Sequence, residues 1–422
     1  MSGEWKRTSL RDAGVTLIDC DHRTPPAADS GYPYVAIPQL KEGRIALADA
    51  RRISPEHFAD WTRKAKPKHH DVILSRRCNP GETAHVPEGL ECALGQNLVL
   101  LRADGTKLFP PFLRWLVRGP HWWEQVGKFI NVGAVFESLK CAEIPHFKMP
   151  LPPLAEQKAI AAVLGALDDK IELNRRMNAT LEAMARALFQ SWFVDFDPVR
   201  AKLDGRPPAA LDPATAALFP EHLEDSPLGH IPKGWKAGTV VEGFNLTMGQ
   251  SPPGNTYNED GNGLPFYQGR TDFGFRFPKR RIYCTAPTRY AKAGDTLVSV
   301  RAPVGDINMA SEECCIGRGV AAVRHKSGAT SFTYHSMANL YPDFARFEAE
   351  GTVFGSINKD SFEKLRFVIP PDEIVAAYER QAGPLDEQIR NLEEQSRTLA
   401  TLRDTLLPQL LSGELSVQES TN

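Results

Sequence analysis

The sequence contains no apolar run long enough to cross a membrane. No stretch approaches the roughly 18 unbroken apolar residues that a spanning helix requires. Residues Met1 to Arg7 are mixed and polar, without the apolar core of a secretory signal. We therefore expect a cytoplasmic protein with no membrane partner.

Cysteine is scarce and irregularly placed. The seven cysteines are an odd number and form no Cys-x-x-Cys pair, which argues against a disulfide framework and against a zinc knuckle. We expect reduced thiols, most of them buried. The pair His69-His70 would need further ligands from elsewhere, so we favour a place in the surrounding basic loop and predict no metal site.

The chain also lacks the strongly basic charge of a small stand-alone DNA-binding protein. Its formal net charge is −2. Charge is nevertheless uneven, because basic clusters at Arg51-Arg52, 63–70, Arg76-Arg77 and 279–281 stand apart from an acid-rich stretch at 371–394. A local field of this kind can bind phosphate even when the total charge is near zero.

Motifs for the chemistry of nucleic-acid enzymes are missing. There is no Gly-x-x-x-x-Gly-Lys-(Ser/Thr) loop for ATP. The string closest to an adenine methyltransferase motif, Ser251-Pro252-Pro253-Gly254, has glycine where an aromatic ring should hold the flipped base. We predict no catalytic residue in this chain.

The chain carries a long internal repeat. Residues 133–140 match 351–358 at a shift of 218 (351 minus 133), and the same shift continues to 167–171 against 385–389. Weaker matches need small gaps: 71–75 with 295–299, 91–95 with 313–317, and Trp5-Lys6 with Trp235-Lys236. Each half is therefore a variable globular domain followed by a better-preserved tail, which suits a length too great for one core.

Both tails are predicted to be long helices with a coiled-coil seam. Apolar positions step by alternating fours and threes in each tail, and a shift of 218 relates the two patterns. The seam residues are Leu164, Leu167, Ile171, Asn174, Asn178, Leu181 and Leu188 in the first helix, and Leu385, Ile389, Leu392, Ser396, Leu399 and Leu406 in the second. Two unrelated helices, each packed on its own domain, are the alternative. The repeated seam favours antiparallel pairing, with the polar seam residues fixing register.

The string Asp168-Asp169-Lys170 resembles part of a nuclease metal site. It lies on the predicted helix, however, and its counterpart is Asp386-Glu387-Gln388. We therefore expect a solvated helix face rather than a metal site.

These patterns predict an α+β fold with the order domain, helix, domain, helix. Residues 71–75, 98–102, 296–300 and 320–324 are predicted strands, and 111–126 and 330–349 predicted helices. The predicted boundaries are 1–150 for the first domain, 151–197 for the first helix, 198–231 for a linker, 232–369 for the second domain, 370–413 for the second helix and 414–422 for a tail. The proline density of the linker is expected to exclude regular structure from most of it.

DNA recognition needs cations for phosphate and Arg, Lys, Asn or Gln for base edges. In the first domain the candidates are Lys64, Lys66, Lys68, Arg76 and Arg77 for charge, with Gln96 and Asn97 as possible base readers. In the second domain they are Gln268, Arg270, Lys279, Arg280, Arg281, Arg301 and Arg318.

The chain resembles a known family, the specificity subunits of type I restriction-modification systems. The resemblance rests on residues 150–160 leading into 167–174, on Ser191 to Pro198 followed by Ile231 to Trp235, and on Leu406 to Leu415. With the repeat, these motifs cover essentially the whole chain.

The resemblance implies two mixed α/β target recognition domains in pseudo-two-fold arrangement, separated by two long antiparallel coiled-coil helices. Each domain would read one half of a split, asymmetric site on double-stranded DNA. A helix of about 40 residues, on the order of 60 Å long, would space the two readers. The family's subunit binds two modification subunits, which methylate adenine, and the assembly recruits restriction subunits. S-adenosylmethionine, Mg²⁺ and ATP would then belong to those partners and not to this chain.

Two alternatives stay open at the level of sequence. A coiled-coil adaptor could use duplicated domains to bind protein or carbohydrate without DNA. A fused restriction and methylation enzyme is disfavoured by the missing methyltransferase motifs.

Overall fold

A computed structural model describes residues 5–132, 137–349 and 355–417. The backbone divides into two compact units, Met1–Glu172 with Ser396–Asn422, and Leu173–Gln395. Part of the repeated motif, 133–136 and 351–354, and the last part of the predicted tail, 418–422, lie outside the described residues.

The first unit is built from short strands, three short helices and parts of two long helices. Its strands are β1 (Arg7–Ser9), β2 (Val15–Asp19), β3 (Tyr32–Val35), β4 (Leu40–Lys41), β5 (Arg44–Ile45), β6 (Arg51–Ile53), β7 (Val72–Ser75), β8 (Thr83–His85), β9 (Ala93–Leu94), β10 (Leu98–Ala103), β11 (Asn131–Val132), β12 (Glu137–Ser138) and β13 (Lys148–Pro150). Its helices are α1 (Pro55–Trp61), α2 (Pro110–Leu116), α3 (Pro120–Phe129) and the beginning of α4 (Leu154–Phe193).

The second unit has a similar set of elements. Its helices are the rest of α4, then α5 (Asp197–Leu203), α6 (Pro213–Leu218), α7 (Val240–Gly243), α8 (Thr330–Asn339), α9 (Tyr341–Ala349), α10 (Lys359–Glu363) and most of α11 (Asp372–Ser412), whose end belongs to the first unit. Its strands are β14 (Leu223–Ser226), β15 (Gly229–Pro232), β16 (Lys236–Thr239), β17 (Phe244–Met248), β18 (Tyr257–Asn258), β19 (Leu264–Tyr267), β20 (Tyr283–Cys284), β21 (Tyr290–Ala291), β22 (Thr296–Ser299), β23 (Ile307–Met309), β24 (Cys314–Ile316), β25 (Val320–His325) and β26 (Arg366–Ile369). No described helix combines the length and the apolar character that crossing a membrane would take.

A four-stranded antiparallel sheet of order β2-β10-β7-β8 lies at the centre of the first unit. Successive residues of a strand point to opposite faces. Val99 and Leu101 accordingly join the core formed with α2, α3 and the long helices. Leu98 and Leu100 join a second core on the other face, which is covered by β3 and β9. Both faces of the sheet are therefore buried, which explains its nearly continuous apolar strands.

The second unit repeats this topology. Its central sheet has the order β17-β25-β22-β23, and a parallel pair, β19 with β24, takes the place of β3 with β9. Ala321 and Val323 face one core, and Val320 and Ala322 face the other. The predicted α+β class and the internal repeat are both confirmed.

The predicted strands are confirmed as β7, β10, β22 and β25, but each predicted helix is two helices. The first breaks before Pro120, the first residue of α3, where Gly119 is extended with φ −73° and ψ 172°. The second breaks between α8 and α9, and α9 carries Pro342 in its first turn. Proline lacks an N–H and fits the first turn of a helix, so it starts a new helix rather than continuing the old one.

The expectation that proline would exclude regular structure from most of residues 198–231 is wrong. Helices α5 and α6 and strands β14 and β15 lie largely within this segment. Pro198 and Pro213 occupy the first turns of α5 and α6, where proline is tolerated, and Pro207, Pro208 and Pro220 lie between elements. The side chain of Asp212 caps α6 by accepting hydrogen bonds from Ala214 N and Thr215 N.

The long helices pack on each other within each unit. In the first unit Ile160 and Leu164 of α4 share a core with Leu407 and Leu410 of α11. In the second unit the Nδ2 of Asn174 donates to Gln395 Oε1 at 2.8 Å, and the hydroxyl of Tyr378 donates to Ala185 O at 3.2 Å. Along α4, Ala185 follows Asn174, whereas along α11 its partner Tyr378 precedes Gln395. The two helices are therefore antiparallel.

The predicted seam residues differ in burial. The buried ones are Leu164, Ile171, Asn174, Asn178, Ile389 and Leu392, and the half-buried ones are Leu167, Leu181, Leu188, Leu385, Ser396, Leu399 and Leu406. Asp168, next to Leu167, and Asp386, next to Leu385, are themselves buried. The inward position at these two places is thus taken by a carboxylate.

The expectation that Asp168 and Asp386 lie on solvated helix faces is therefore wrong. Asp168 is 6% exposed, accepts a hydrogen bond from Arg403 Nη1 at 2.5 Å and pairs with Arg114 of α2. Burial raises the pKa of Asp168, but the charge of Arg114 and the hydrogen bond from Arg403 outweigh it, so the pKa lies below its ordinary value. Ion pairing keeps this buried carboxylate charged.

Asp386 has a different balance. Arg276, fully buried and stacked 3.8 Å from the ring of Tyr334, donates to Asp386 at 2.5 Å and also pairs with Glu182. One guanidinium is thus shared by two carboxylates. Burial outweighs the charge of Arg276, and the pKa of Asp386 lies above its ordinary value.

Replacing Asp168 by asparagine leaves the guanidinium groups of Arg114 and Arg403 without their shared carboxylate. Breaking a buried pair from one side costs about 3 kcal/mol or more. We expect Asp168→Asn to lower the free energy of unfolding by that amount in urea, with faster hydrogen exchange across 110–116. The neighbouring Asp169 is exposed, so Asp169→Asn should change stability by less than about 0.5 kcal/mol. Equal effects of the two substitutions would contradict the role assigned to Asp168.

Candidate nucleic-acid interface

Four of the predicted site residues of the first unit meet at one end of its central sheet. Strand β7 ends at Ser75, which lies opposite Leu98, the first residue of β10. The pairing continues one residue beyond the strands, where Arg76 N donates to Asn97 O at 2.9 Å. Arg76, Arg77, Gln96 and Asn97 are therefore neighbours on the rim of the sheet.

The repeated motif holds this rim in place. The backbone of Arg77 forms a β-bridge with Ser138, and Leu139 N donates to Arg76 O at 2.9 Å. The side chain of Leu139 is buried in the core beneath, and Ser75 Oγ donates to Arg77 O at 2.9 Å. The loop that carries Arg77 is consequently held by hydrogen bonds to the repeated motif and to Ser75.

The second unit has the equivalent rim. Ser299 of β22 lies opposite Val320 of β25, and Val300 N donates to Gly319 O at 3.0 Å. Arg301 forms a β-bridge with Ser356, and Ile357 N donates to Val300 O at 3.1 Å. Counted from the paired serines, Arg301 takes the place of Arg77. Counted from the first residues of β10 and β25, Arg318 takes the place of Gln96.

A glycine precedes each of these loop residues for a steric reason. Gly95 N donates to Val35 O at 2.6 Å, and a Cβ at Gly95 would lie 2.9 Å from the same oxygen. Gly317 N donates to Tyr267 O at 2.9 Å, and a Cβ there would lie 3.1 Å from the ring of Phe266. At Gly95 the neighbouring backbone lies too close for a side chain, whereas at Gly317 the crowding comes from an aromatic ring that would have to move slightly. The backbone before Gln96 and before Arg318 is held by the equivalent hydrogen bond to the adjacent strand.

The cations on the two rims differ in their availability. Arg77, Arg301 and Arg318 are exposed, and none lies within ion-pair distance of a carboxylate among the residues that the structure describes. Arg76 is half-buried and donates to Leu139 O at 3.4 Å. The three exposed arginines can pair with an external anion without losing an internal partner.

Further candidates of the second unit gather around the same rim through Asp272. The buried carboxylate of Asp272 accepts hydrogen bonds from Gln268 N at 3.0 Å and from the guanidinium of Arg281 at 2.8 Å. The backbone carbonyl of Asp272 accepts a hydrogen bond from Lys279 N. Arg270 Nε lies 2.7 Å from Asp306, whose backbone pairs with Ser299. These residues add positive charge, although Arg270 and Arg281 share theirs with internal carboxylates.

The other candidates are not brought to the rims. Arg102 donates to Lys66 O, and Lys68 N donates to Asp71, which precedes the first residue of β7 at the end of the sheet opposite Arg76. Arg280 pairs with Glu312, which precedes β24 at the end opposite Gly317. Lys64 is exposed on the loop after α1.

A hollow of about 350 Å³ is lined by Gln96 and by two further polar side chains that were not predicted as site residues. They are Gln39, whose Oε1 accepts from Ala36 N at 3.1 Å, and Arg51, whose Nη1 donates to Pro25 O at 2.9 Å. Arg51 belongs to a basic cluster visible in the sequence, whereas Gln39 gave no signal.

One group of possible metal ligands exists among the described residues. The donor atoms of Asp19, Cys20 and His22 lie within 4.8 Å of one another. A ligating thiol must be deprotonated, and burial together with the charge of Asp19 raises the pKa of Cys20 to about 11. In the metal-free chain the thiol of Cys20 is therefore protonated at neutral pH.

The chemistry of the two rims suits an anionic, hydrogen-bonding polymer. Exposed arginines at Arg77 and Arg301 can contact phosphate, and the amide of Gln96 and the guanidinium of Arg318 can form paired hydrogen bonds with base edges. The described rims show no arrangement of nucleophile and base that would break a bond.

Comparison with known proteins gives a consistent result. The family model of the type I restriction modification DNA specificity domain matches residues 21–183 and 232–395, once for each half. The putative type I restriction enzyme MjaX specificity subunit of Methanocaldococcus jannaschii is 30% identical over 335 residues, 77% of this chain and 72% of that protein. The HindI specificity subunit of Haemophilus influenzae is 25% identical over 338 residues, 66% of this chain and 72% of that protein.

The fold also matches a solved structure. The crystal structure of a type I restriction-modification S subunit from M. genitalium covers 96% of both chains with a TM-score of 0.58 at 15% identity. The repeated topology agrees with the two matches to one domain family, one in each half of the chain. This chain belongs to the specificity subunits of type I restriction-modification systems.

Proposed function

We propose that this specificity subunit reads a bipartite, asymmetric DNA target and directs adenine methylation and restriction by partner subunits. Each rim contacts one half of the target. The observation that carries the proposal is the equivalence of the two rims, with an exposed arginine at the same place in each, Arg77 and Arg301, that has no carboxylate partner among the described residues.

The rest of the rims supports an asymmetric target. Equivalent backbone positions carry Gln96 in the first unit and Arg318 in the second, and the first unit has Ala36 where the second has Gln268. Side chains that differ in donors and acceptors favour different base pairs. Two such readers in one chain would recognise two different half-sites.

The proposal assigns catalysis to other subunits. Two modification subunits would bind S-adenosylmethionine and methylate adenine, and restriction subunits would use ATP and Mg²⁺. A chain with two equivalent halves suits the binding of two copies of one partner. The long helices, which contribute to both units, would set the spacing of the half-sites. Because its substrate is DNA, we propose that the complex acts in the cytoplasm.

Removing one rim arginine should weaken DNA binding without changing the sequence preference. We expect Arg77→Ala or Arg301→Ala, in complex with the modification subunits, to raise the Kd by roughly tenfold, the loss of one charge-assisted hydrogen bond. The slope of log affinity against log salt should become less steep by about one. Fluorescence anisotropy at several salt concentrations measures both quantities.

Arg206→Ala is the matched control, because Arg206 is an exposed arginine on the segment between α5 and α6 and is paired with Asp204. This variant should bind as tightly as the unchanged protein. If all three substitutions weaken binding alike, the effect is one of overall charge and not of the rims.

The modification pattern tests the proposal in cells. Long-read sequencing of a methylation-negative host should show N6-methyladenine in a split, asymmetric motif only when this protein and its modification subunit are both present. Exchanging residues 232–368 for those of another specificity subunit should change one half of the motif and leave the other. If the two proteins co-purify and no motif appears, an adaptor function without sequence reading is the better account.

A further inference from the structure

Some equivalent positions of the two rims carry the same residue type, and others carry different residue types. Position for position, Arg77 and Arg301 are both arginines, each two residues beyond the paired serines Ser75 and Ser299. An arginine present at the same place in both halves suits a phosphate contact, which carries no sequence information. Residues that differ between the halves suit the reading of two different half-sites.

Gln96 and Arg318 meet this condition. Each follows the tightly packed Gly95 or Gly317 and lies two residues before the first paired residue of β10 or β25. Leu98 N donates to Gly95 O at 3.3 Å, and Val320 N donates to Gly317 O at 2.9 Å, so Gln96 and Arg318 are both the second residue of a four-residue turn. The two turns differ at the third residue, because Asn97 has a left-handed φ of 66° and Gly319 does not. Two side chains of different chemistry therefore extend from equivalent turn positions.

Both side chains are available for a ligand. Gln96 is exposed beside the hollow that holds Gln39 and Arg51. Arg318 is exposed, its backbone N–H is held by Ser251 Oγ at 3.4 Å, and its guanidinium has no carboxylate partner in the described part of the chain. An anchored backbone with a free side-chain end is the arrangement that directional reading of a base edge requires.

We propose that Gln96 and Arg318 are equivalent specificity-determining residues, and that Gln96 reads an adenine in one half-site while Arg318 reads a guanine in the other. The carboxamide of glutamine matches the N6 donor and N7 acceptor of adenine. The guanidinium matches the O6 and N7 acceptors of guanine. This inference rests on the proposed function and adds to it which base each rim selects.

The test exchanges the two chemistries one at a time. The complex of this protein with its modification subunits is expressed in a methylation-negative host as the unchanged protein, Gln96→Arg and Arg318→Gln, and the methylated motifs are read by long-read sequencing. In Gln96→Arg one A·T pair of the first half-site should become G·C, with a preference of roughly tenfold or more. In Arg318→Gln one G·C pair of the second half-site should become A·T. The other half-site should stay unchanged in each variant.

Truncation keeps the inference testable if an exchange variant loses activity. Gln96→Ala and Arg318→Ala remove base contacts without adding bulk, so each should relax a single base pair of its own half-site. Arg77→Ala is the matched control, because it should reduce methylation across all sites without relaxing any position.

The outcomes separate the inference from the function on which it rests. An unchanged, strict motif in both the exchange and the alanine variants overturns the assignment of Gln96 and Arg318 while leaving the specificity function in place. Relaxation in the wrong half-site also overturns it. If the unchanged protein directs no motif, the proposed function itself fails.

Discussion

The fold of each unit depends on a central antiparallel sheet that is covered on both faces. Because Val99 and Leu101 face one core while Leu98 and Leu100 face the other, a slip of one residue would exchange the two sets. The register is therefore strongly specified, and the turns at the ends of the strands are fixed with it. The backbone positions of Arg77 and Gln96 are thus set by apolar strand residues that are buried in the two cores.

The buried carboxylates Asp168 and Asp386 show a second use of the repeat. The two occupy equivalent places on the long helices, and each is bound by an arginine from the globular part of its own unit, Arg114 or Arg276. Apolar seams are permissive about angle and register, whereas a buried ion pair tolerates little displacement before an unpaired charge remains. Each carboxylate thus joins the globular part of its unit to a long helix, and burial raises the pKa of Asp386 but is outweighed at Asp168.

Much of this could be predicted from the sequence, and the failures have physical causes. The repeat and the seams predicted two similar units and paired helices because periodicity survives where individual residues vary. The burial of Asp168 could not be predicted, since its partners Arg114 and Arg403 lie 54 and 235 residues away along the chain. The regular structure around Pro198 and Pro213 was not predicted, because the number of prolines does not show that these two occupy the first turn of a helix, where proline is tolerated. Lys66 and Lys68 entered the candidate list on charge alone, which does not show the end of a strand at which a residue lies.

A duplicated fold gives two similar sheets on which the exposed side chains differ. Equivalent backbone hydrogen bonds from Leu139 in one unit and Ile357 in the other join the repeated motif to each rim, and both of these side chains are buried in the core beneath. At the rim itself, Arg77 and Arg301 retain one chemistry while Gln96 and Arg318 differ. Under the proposed function, sequence reading would change through exposed residues such as Gln96 and Arg318, because buried apolar residues set the strand pairing beneath them.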